Sequence, residues 1–204
     1  MGLAKEDAEC IVRGRLIVFE GLDRAGKTTM ANKTIEHLCQ QGIRMESLCF
    51  PFYDTPTGNI IKTHLKERHP MEDHVVHLLF SANRWEAKAK IESALDSGIS
   101  IVLDRYYPSG IAYSAAKGLP LEWCCGPDNG LPRPDIVFFL SINPENAAAR
   151  AGYGKDLYEK RNFQEKISLQ YKKLKDETWC EIDANAPPGH VFEKIRRGLD
   201  VLFQ

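Results

Sequence analysis

The sequence lacks any long hydrophobic run, and none of its apolar stretches approaches the length of a membrane-spanning helix. It also lacks an excess of charge of either sign, because 27 basic and 28 acidic residues leave a formal net charge of −1. A chain with so little net charge has no bulk attraction for nucleic acid or for anionic lipid. We therefore expect neither nucleic acid nor a membrane as a partner.

Closely spaced C-x-x-C motifs and an apolar N-terminal segment are also missing from the sequence. The six cysteines form no C-x-x-C pair, and the first ten residues, MGLAKEDAEC, contain acids and no apolar segment. This pattern argues against a signal peptide and a disulfide framework, so we expect a cytoplasmic protein with reduced thiols. The alternative for the adjacent Cys124 and Cys125 is a redox-sensitive pair. Residues 1–13 are predicted to be a disordered lead-in, and residues 14–204 a single domain.

The most informative stretch of the sequence is residues 15–34, RLIVFEGLDRAGKTTMANKT. An apolar run at 16–19 predicts a buried strand, and Gly21-x-x-x-x-Gly26-Lys27-Thr28 follows it, which is the P-loop pattern. In a P-loop, backbone N–H groups surround phosphate oxygens at a helix N-terminus, the lysine neutralises charge and the hydroxyl binds Mg²⁺. The predicted nucleoside triphosphate site comprises Gly21, Ala25, Gly26, Lys27, Thr28 and Thr29.

Four more short apolar runs alternate with helical patterns. Strands are predicted at 16–19, 47–50, 99–103, 136–140 and 180–182, and helices at 60–68, 73–97 with Asp73 as N-cap, 143–150, 158–176 and from 191 onward. This alternation predicts an α/β fold, a parallel sheet with helices on both faces. Ligands bind such sheets at the carboxyl ends of the strands.

Charged residues stand at two of these predicted strand ends. Asp104 and Arg105 follow the third strand, where a carboxylate can hold the water shell of Mg²⁺ and an arginine can bridge two phosphates. Asp23 and Arg24 lie inside the P-loop, where the arginine can reach transferring phosphate and the carboxylate can accept a bond from a sugar hydroxyl. The alternative is that the loop residues are merely solvated charges.

Two further features leave alternatives open. Phe80 and Arg84 stand at i and i+4 on the long predicted helix, either as a base-reading pair or as a surface arginine beside an aromatic residue. Residues 118–134 form a Pro/Gly-rich loop. Glycines interrupt a charged segment at about 151–158, which predicts a mobile lid, with a plain loop as the alternative.

Several blocks of the sequence resemble the eukaryotic and poxviral thymidylate kinases. The blocks are FEGLDRAGKTT, HLLFSANRWE, DRYYPSGIAY with the AAKG that follows, GLPRPD and YEKRNFQE, and the match runs from about Arg15 to the last helix. The resemblance implies a homodimeric, Mg²⁺-dependent enzyme that transfers the γ-phosphoryl group of ATP to dTMP. It also implies a P-loop nucleotide kinase with a five-stranded parallel sheet of order 2-3-1-4-5 and a short lid.

The same resemblance implies roles for individual residues. The implied catalytic residues are Lys27, Arg24, Arg105 and Asp104, and Thr28 with Asp104 would hold the metal. Arg150 would stack on adenine, and Asp183 to Asn185 would line its pocket. The implied dTMP site consists of Asp23 at the 3′-hydroxyl, Phe50, Phe80 stacked on thymine, Arg84 at its O4, Arg105 at the phosphate, Ser109, Tyr113 and Tyr158.

One stretch departs from the family pattern. The family usually shows Phe-Pro-x-Arg-Ser/Thr-Thr after the second strand, with the arginine against the dTMP phosphate, whereas this chain has Tyr53 there and Asp54 beside it. Losing one charge-assisted contact costs about 1.5–3 kcal/mol. Either Arg24 and Arg105 suffice, or a lysine or arginine from elsewhere compensates, or dTMP binds more weakly.

Two other functions remain as alternatives. One is a kinase for a different nucleotide or nucleoside. The other is a P-loop module that binds nucleotide without phosphorylating dTMP, either a pseudoenzyme or a GTPase-like switch. The Asn-Lys-x-Asp run by which such switches read guanine is absent from the sequence.

Overall fold

The computed structural model describes residues 12–67, 70–148 and 161–204. Within these ranges the strands are β1 (Leu16–Gly21), β2 (Met45–Cys49), β3 (Ser100–Asp104), β4 (Ile136–Ser141) and β5 (Trp179–Asp183). They form one parallel sheet in the order β2-β3-β1-β4-β5, so the predicted sheet and strand order are confirmed.

The described residues also form helices that connect these strands. They are α1 (Lys27–Gln40), α2 (Pro56–Glu67), α3 (Asp73–Asp96), α4 (Tyr107–Ala116), α5 (Leu121–Cys125), α6 (Pro144–Ala148), α7 (Arg161–Leu174) and α8 (Pro188–Leu202). A 3₁₀ turn at Gly126–Asp128 follows α5. None of the helices in the described ranges is long and apolar enough to cross a membrane.

The central strands are buried because helices cover both faces of the sheet. Every residue of β1 and β3 is buried, whereas the edge strands β2 and β5 are largely half-buried or exposed. Alternate residues of β1 face two separate hydrophobic clusters, with Ile17 in one and Val18 in the other. Phe19 of β1 pairs with Asp104 of β3, so the end of β3 lies beside the start of the P-loop.

The predicted strands match the observed ones within two residues at each end, but two helices begin earlier than predicted. The helix predicted from residue 60 begins at Pro56, and the helix predicted from residue 191 begins at Pro188. Proline fits the first turn of a helix because the N–H group that it lacks has no partner there. The N-cap of α3 is Glu72 rather than Asp73, because the Glu72 carboxylate accepts bonds from the backbone N–H groups of His74 and Val75.

The segment 118–134, predicted to be a loop, contains α5 and the 3₁₀ turn. Cys124 lies buried in α5, and burial together with the neighbouring Cys125 raises the pKa of its thiol to about 11. A neutral buried thiol reacts slowly, which disfavours the redox-sensitive alternative. The described cysteines are free thiols.

The predicted lead-in and the predicted lid fall mainly on residues that the structure leaves undescribed. Residues 1–11 lie outside the described ranges, whereas the Arg13 guanidinium contacts the Asp135 carboxylate at 3.1 Å. The predicted lid at about 151–158 lies outside the described ranges entirely.

Candidate active site

The P-loop connects β1 to α1 and leaves the N-terminus of α1 open. Gly21 has a φ of 141° and Gly26 a φ of 98°, which L side chains rarely adopt. A Cβ atom at Gly21 would come within 2.6 Å of the Leu140 carbonyl oxygen. Gly26 is the N-cap of α1 and offers no side chain to bond the first N–H groups. These groups therefore remain available for an anion.

Lys27, the first residue of α1, reaches back across the P-loop. Its ammonium donates to the carbonyl oxygens of Leu22 at 2.8 Å and Gly21 at 3.3 Å. Burial, and then the nearby positive charge of Arg105, lowers the pKa of Lys27 to about 8. A triphosphate bound here would add negative charge beside this buried ammonium and so favour its protonated form.

Thr28 and Asp104 meet at the mouth of the loop. The Thr28 hydroxyl donates to Asp104 Oδ2 at 2.5 Å, although the two residues are far apart in the sequence. A hydroxyl and a carboxylate beside a phosphate site are oxygen ligands of the kind that Mg²⁺ prefers. The described residues contain no group of three or more His, Cys, Asp or Glu side chains that could hold a metal ion.

Asp23 connects the P-loop to three other elements. Its carboxylate accepts bonds from the Arg105 guanidinium, from the Tyr113 hydroxyl at 2.9 Å and from Gln164 Nε2 at 2.8 Å. Burial alone would raise the pKa of Asp23, but the charges of Arg105 and Lys27 and these hydrogen bonds hold it below its usual value. Asp23 is therefore an ionised carboxylate, and it fixes the guanidinium of Arg105 beside the P-loop.

Two arginines of the site have backbone conformations that are uncommon for side-chain-bearing residues. Arg24 has a φ of 64° and Arg105 a φ of 70°. Such conformations cluster at functional sites, where surrounding contacts over-determine them. Arg105 is held by Asp23, by the Gly21 carbonyl oxygen at 3.2 Å and by the Ser109 hydroxyl at 3.0 Å.

A buried glutamate lies beneath this arginine. Glu20, near the end of β1, accepts bonds from the backbone N–H groups of Tyr106 and Ser109, from the Ser109 hydroxyl at 2.6 Å and from the Tyr171 hydroxyl at 2.9 Å. Burial raises its pKa, and the charge of Arg105 with these hydrogen bonds opposes the shift. No role for Glu20 was predicted from the sequence, although a carboxylate at the end of an all-apolar strand indicates that hydrogen bonds must satisfy it.

A cavity of about 550 Å³ opens beside Arg105 and brings most of the predicted dTMP residues together. Its lining includes Asp23, Phe50, Phe80, Arg84, Arg105, Ser109 and Tyr113. Phe50 precedes a cis peptide bond to Pro51 and is buried, whereas Phe80 is half-buried. The remaining predicted member, Tyr158, lies outside the described residues.

Arg84 is positioned by Asp128, a residue for which no role was predicted from the sequence. Its guanidinium donates to both oxygens of Asp128, at 2.9 and 2.7 Å, and the Ser81 hydroxyl donates to the same carboxylate at 2.8 Å. Gly110 packs against the guanidinium so closely that a Cβ atom would come within 2.7 Å of Nη2. Arg84 is therefore a fixed part of the cavity wall, and the surface alternative is wrong.

Basic residues of α2 also reach this cavity. Lys62 and Lys66 line it beside the exposed Tyr53, which occupies the position where the family pattern has arginine. Compensation by a lysine or arginine from elsewhere was one of the alternatives for position 53, but these two lysines were not predicted. Their spacing of four residues on a predicted helix indicates that both side chains lie on the same helix face.

The residues predicted to bind adenine lie at the end of β5. Asp183 Oδ1 accepts bonds from the backbone and side-chain nitrogens of Asn185, at 3.0 and 2.7 Å. Asn185 Oδ1 in turn accepts from Asn143 and Asn146, after β4. Thr29 is exposed on α1 and Ala25 is buried in the P-loop. Arg150 lies outside the described residues.

Comparison with known proteins identifies the family. A sequence profile described as Thymidylate kinase matches residues 19–195. The chain is 43% identical over 202 residues to thymidylate kinase of Dictyostelium discoideum, covering 98% of this chain and 91% of that protein. It is 45% identical over 188 residues to thymidylate kinase of Homo sapiens, covering 90% and 89%.

A structural comparison gives the same result. The solved structure of thymidylate kinase from Candida albicans superposes with a TM-score of 0.86 at 33% identity, covering 93% of this chain and 92% of that one. The fold is thus the P-loop kinase fold that the sequence predicted. The matched profile and the relatives together show that this chain belongs to the thymidylate kinase family.

Proposed function

We propose that this protein transfers the γ-phosphoryl group of ATP to dTMP, giving ADP and dTDP, as a nucleoside monophosphate kinase in dTTP synthesis. The observation that best supports this function is that the P-loop and the cavity meet at the ion pair between Asp23 and Arg105. A triphosphate on Lys27 and a monophosphate beside Arg105 would face each other across that pair. This arrangement suits in-line phosphoryl transfer, which depends on alignment and charge neutralisation.

On the donor side, the P-loop backbone and Lys27 would bind the β- and γ-phosphates, with Gly21, Ala25, Gly26, Thr28 and Thr29 forming the rest of the loop site. Asp183 and Asn185 would line the adenine pocket, and Arg150 would stack on the base. The two hydrogen bonds that Asn185 donates to Asp183 support a fixed surface at that place.

On the acceptor side, Phe80 would stack on thymine and Arg84 would donate to its O4. Asp128 occupies Nε and one N–H of Nη2 of Arg84, so the remaining N–H groups can serve a base. Phe50, Ser109 and Tyr113 would shape the rest of the pocket, and Tyr158 would cover the sugar.

Asp23 would accept a hydrogen bond from the 3′-hydroxyl of the sugar. A carboxylate offers roughly four acceptor positions. Three side-chain donors, Arg105, Tyr113 and Gln164, already use part of this capacity. One more donor can therefore be accepted without displacing the ion pair.

Mg²⁺ is proposed as the cofactor, with the Thr28 hydroxyl as a direct ligand and Asp104 holding its water shell. The 2.5 Å contact between these two groups supports a shared ligand position. When bound, the cation supplies positive charge that offsets the charge of the phosphates. Arg24, Lys27 and Arg105 would neutralise the migrating group from the protein side.

Residues 14–204 would act as one kinase domain, with about 151–158 as the lid that excludes water and suppresses ATP hydrolysis.

A homodimer is also proposed. It is supported by exposed apolar side chains on one face of α3, Val75, Leu78 and Trp85, which suit an interface between copies. A fall in mass by light scattering in a Leu78→Glu variant would support the dimer. A cytoplasmic location completes the proposal.

A coupled assay with ATP and a panel of nucleoside monophosphates tests the function. The thymidylate kinase of Candida albicans is described as having broad substrate specificity, so dUMP, dGMP and dCMP belong in the panel. We expect dTMP to be the preferred acceptor. Preference for another nucleotide or for a nucleoside would establish the first alternative. Binding of ATP and dTMP without turnover would establish the pseudoenzyme.

A further inference from the structure

The cations that line the acceptor cavity differ in whether they are already neutralised. Arg84 is paired with Asp128 at 2.7 Å, Arg105 is paired with Asp23, and Lys117 is paired with Asp73 at 2.9 Å. Each of these three positive charges is therefore balanced by a carboxylate of the protein before any ligand arrives.

Lys62 and Lys66 are different. Both line the cavity, and neither forms an ion pair with a described residue. They stand four positions apart on α2, so one turn of the helix directs both toward the same rim. Leu65 between them also lines the cavity, while Ile61 and His64 are buried on the inner side of the helix.

The balance of charge points to the ligand of these lysines. Of the described lysines and arginines that line the cavity, three are each paired with a carboxylate of the protein, and two ammonium groups remain. A phosphate monoester carries a charge of about −1.5 to −2 at pH 7. The positive charge of these two ammonium groups is thus opposite in sign and close in size to the charge of a nucleoside monophosphate.

We propose that Lys62 and Lys66 are, together with Arg105, the cationic groups of the acceptor phosphate site and supply the charge that Tyr53 cannot provide. The proposal rests on the function proposed above, because the phosphate in question is that of the acceptor. Two flexible ammonium groups hold the dianion by charge, whereas one arginine fork would hold it by fixed geometry.

The test compares dTMP with thymidine, which lacks the phosphate. In the Lys62→Gln/Lys66→Gln variant we expect the KM for dTMP to rise by about tenfold or more, the effect of one charge-assisted contact. The inhibition constant of thymidine against dTMP should stay unchanged. The KM for dTMP in the unmodified protein should rise with salt, and this rise should be smaller in the variant, because exposed charges are screened.

A matched control removes the same two charges elsewhere. Lys172 and Lys173 are exposed on α7 and do not line the cavity, so Lys172→Gln/Lys173→Gln should leave the KM for dTMP unchanged. An unchanged KM in the α2 variant, or an equal rise in both double variants, would overturn the proposal. If the unmodified protein itself neither binds nor phosphorylates dTMP, the proposed function fails instead.

Moving the charge back to position 53 provides a second test. Tyr53→Arg should restore most of the lost dTMP affinity in the Lys62→Gln/Lys66→Gln background and improve it only slightly when the lysines are present. Such non-additivity is expected for groups that share one partner. An equal improvement in both backgrounds would contradict a shared phosphate site.

Discussion

The Arg84 guanidinium and the Asp128 carboxylate form a two-bonded ion pair whose side chains are only 2% and 3% exposed. The pair joins α3 to the 3₁₀ turn of the 118–134 segment. Removing one partner of a buried ion pair leaves the other charge without compensation, which costs about 3–5 kcal/mol. We therefore expect Asp128 to act on the acceptor through Arg84, as a positioning residue.

Replacing Asp128 with Asn is expected to lower the melting temperature and to reduce the preference for dTMP over dCMP, because the guanidinium loses its fixed orientation. The measurements are thermal unfolding and the ratio of kcat/KM values for the two acceptors. Arg84→Ala should also reduce this ratio. Ser81→Ala, which removes one bond to the same carboxylate, should have a smaller effect in both measurements. Unchanged selectivity in Asp128→Asn would show that Asp128 is only structural.

Replacing Gly110 with Ala is expected to displace Arg84, because the new Cβ atom would come within 2.7 Å of Nη2 and 2.9 Å of Nη1. We expect kcat/KM for dTMP to fall by about tenfold or more, the effect of weakening one hydrogen bond to a charged group. The affinity for ATP should not change, since the P-loop is not involved. Gly189→Ala in α8, where a Cβ atom meets nothing within 4 Å, is the control and should behave like the unmodified protein.

The pH dependence of ATP use should follow Lys27. Its pKa lies at about 8 in the free protein, and only the protonated form carries the charge that phosphates need. As pH rises through this value, the ammonium is lost, so kcat/KM for ATP should decline above about pH 8. Lys27→Arg should move this decline to higher pH in whatever activity remains, because arginine stays protonated.

Lys27→Met should abolish turnover while leaving the melting temperature near that of the unmodified protein. Near-normal dTDP formation by this variant would contradict the role assigned to the ammonium. A decline at the same pH in Lys27→Arg would assign the titration to another group.

The requirement for Mg²⁺ should increase when its proposed ligands are changed. In Thr28→Val or Asp104→Asn we expect the free Mg²⁺ concentration for half-maximal activity to rise by about 10-fold or more. The measurement is a titration of Mg²⁺ at fixed ATP and saturating dTMP. Thr63→Val, on the exposed surface of α2, should not alter the titration. Equal requirements in all four proteins would remove Thr28 and Asp104 from the metal site.

Those parts of the site that depend on residues close together in the sequence could be predicted from the sequence. The P-loop spacing and the position of Asp104 and Arg105 at a strand end follow from neighbouring residues, and the structure has both at the expected edge of the sheet. Glu20 and Asp128 could not be assigned in this way. Their partners are more than forty positions away, and only the folded chain brings them together.

The 118–134 segment illustrates the same limit. Its prolines and glycines are typical of a loop, yet α5 and the 3₁₀ turn there place Asp128 against Arg84. Residue composition reports local backbone preference, whereas the function of Asp128 depends on a contact with another element. α2 and α8 begin earlier than predicted for a local reason. Each begins at a proline, a residue that is unfavourable inside a helix but common at its first position.

Gln164 binds Asp23 twice, since its Oε1 accepts from the Asp23 backbone N–H at 3.2 Å and its Nε2 donates to Oδ2 at 2.8 Å. Near its first turn, α7 is thereby tied to the P-loop, and the segment at 149–160 leads directly into that helix. A shift of α7 must therefore alter Asp23, and a new bond to Asp23 must alter the preferred place of α7. Thermodynamic linkage makes these two influences equal in size. We therefore expect a ligand that bonds to Asp23 to alter the position of α7, and a displaced α7 to alter the affinity for that ligand.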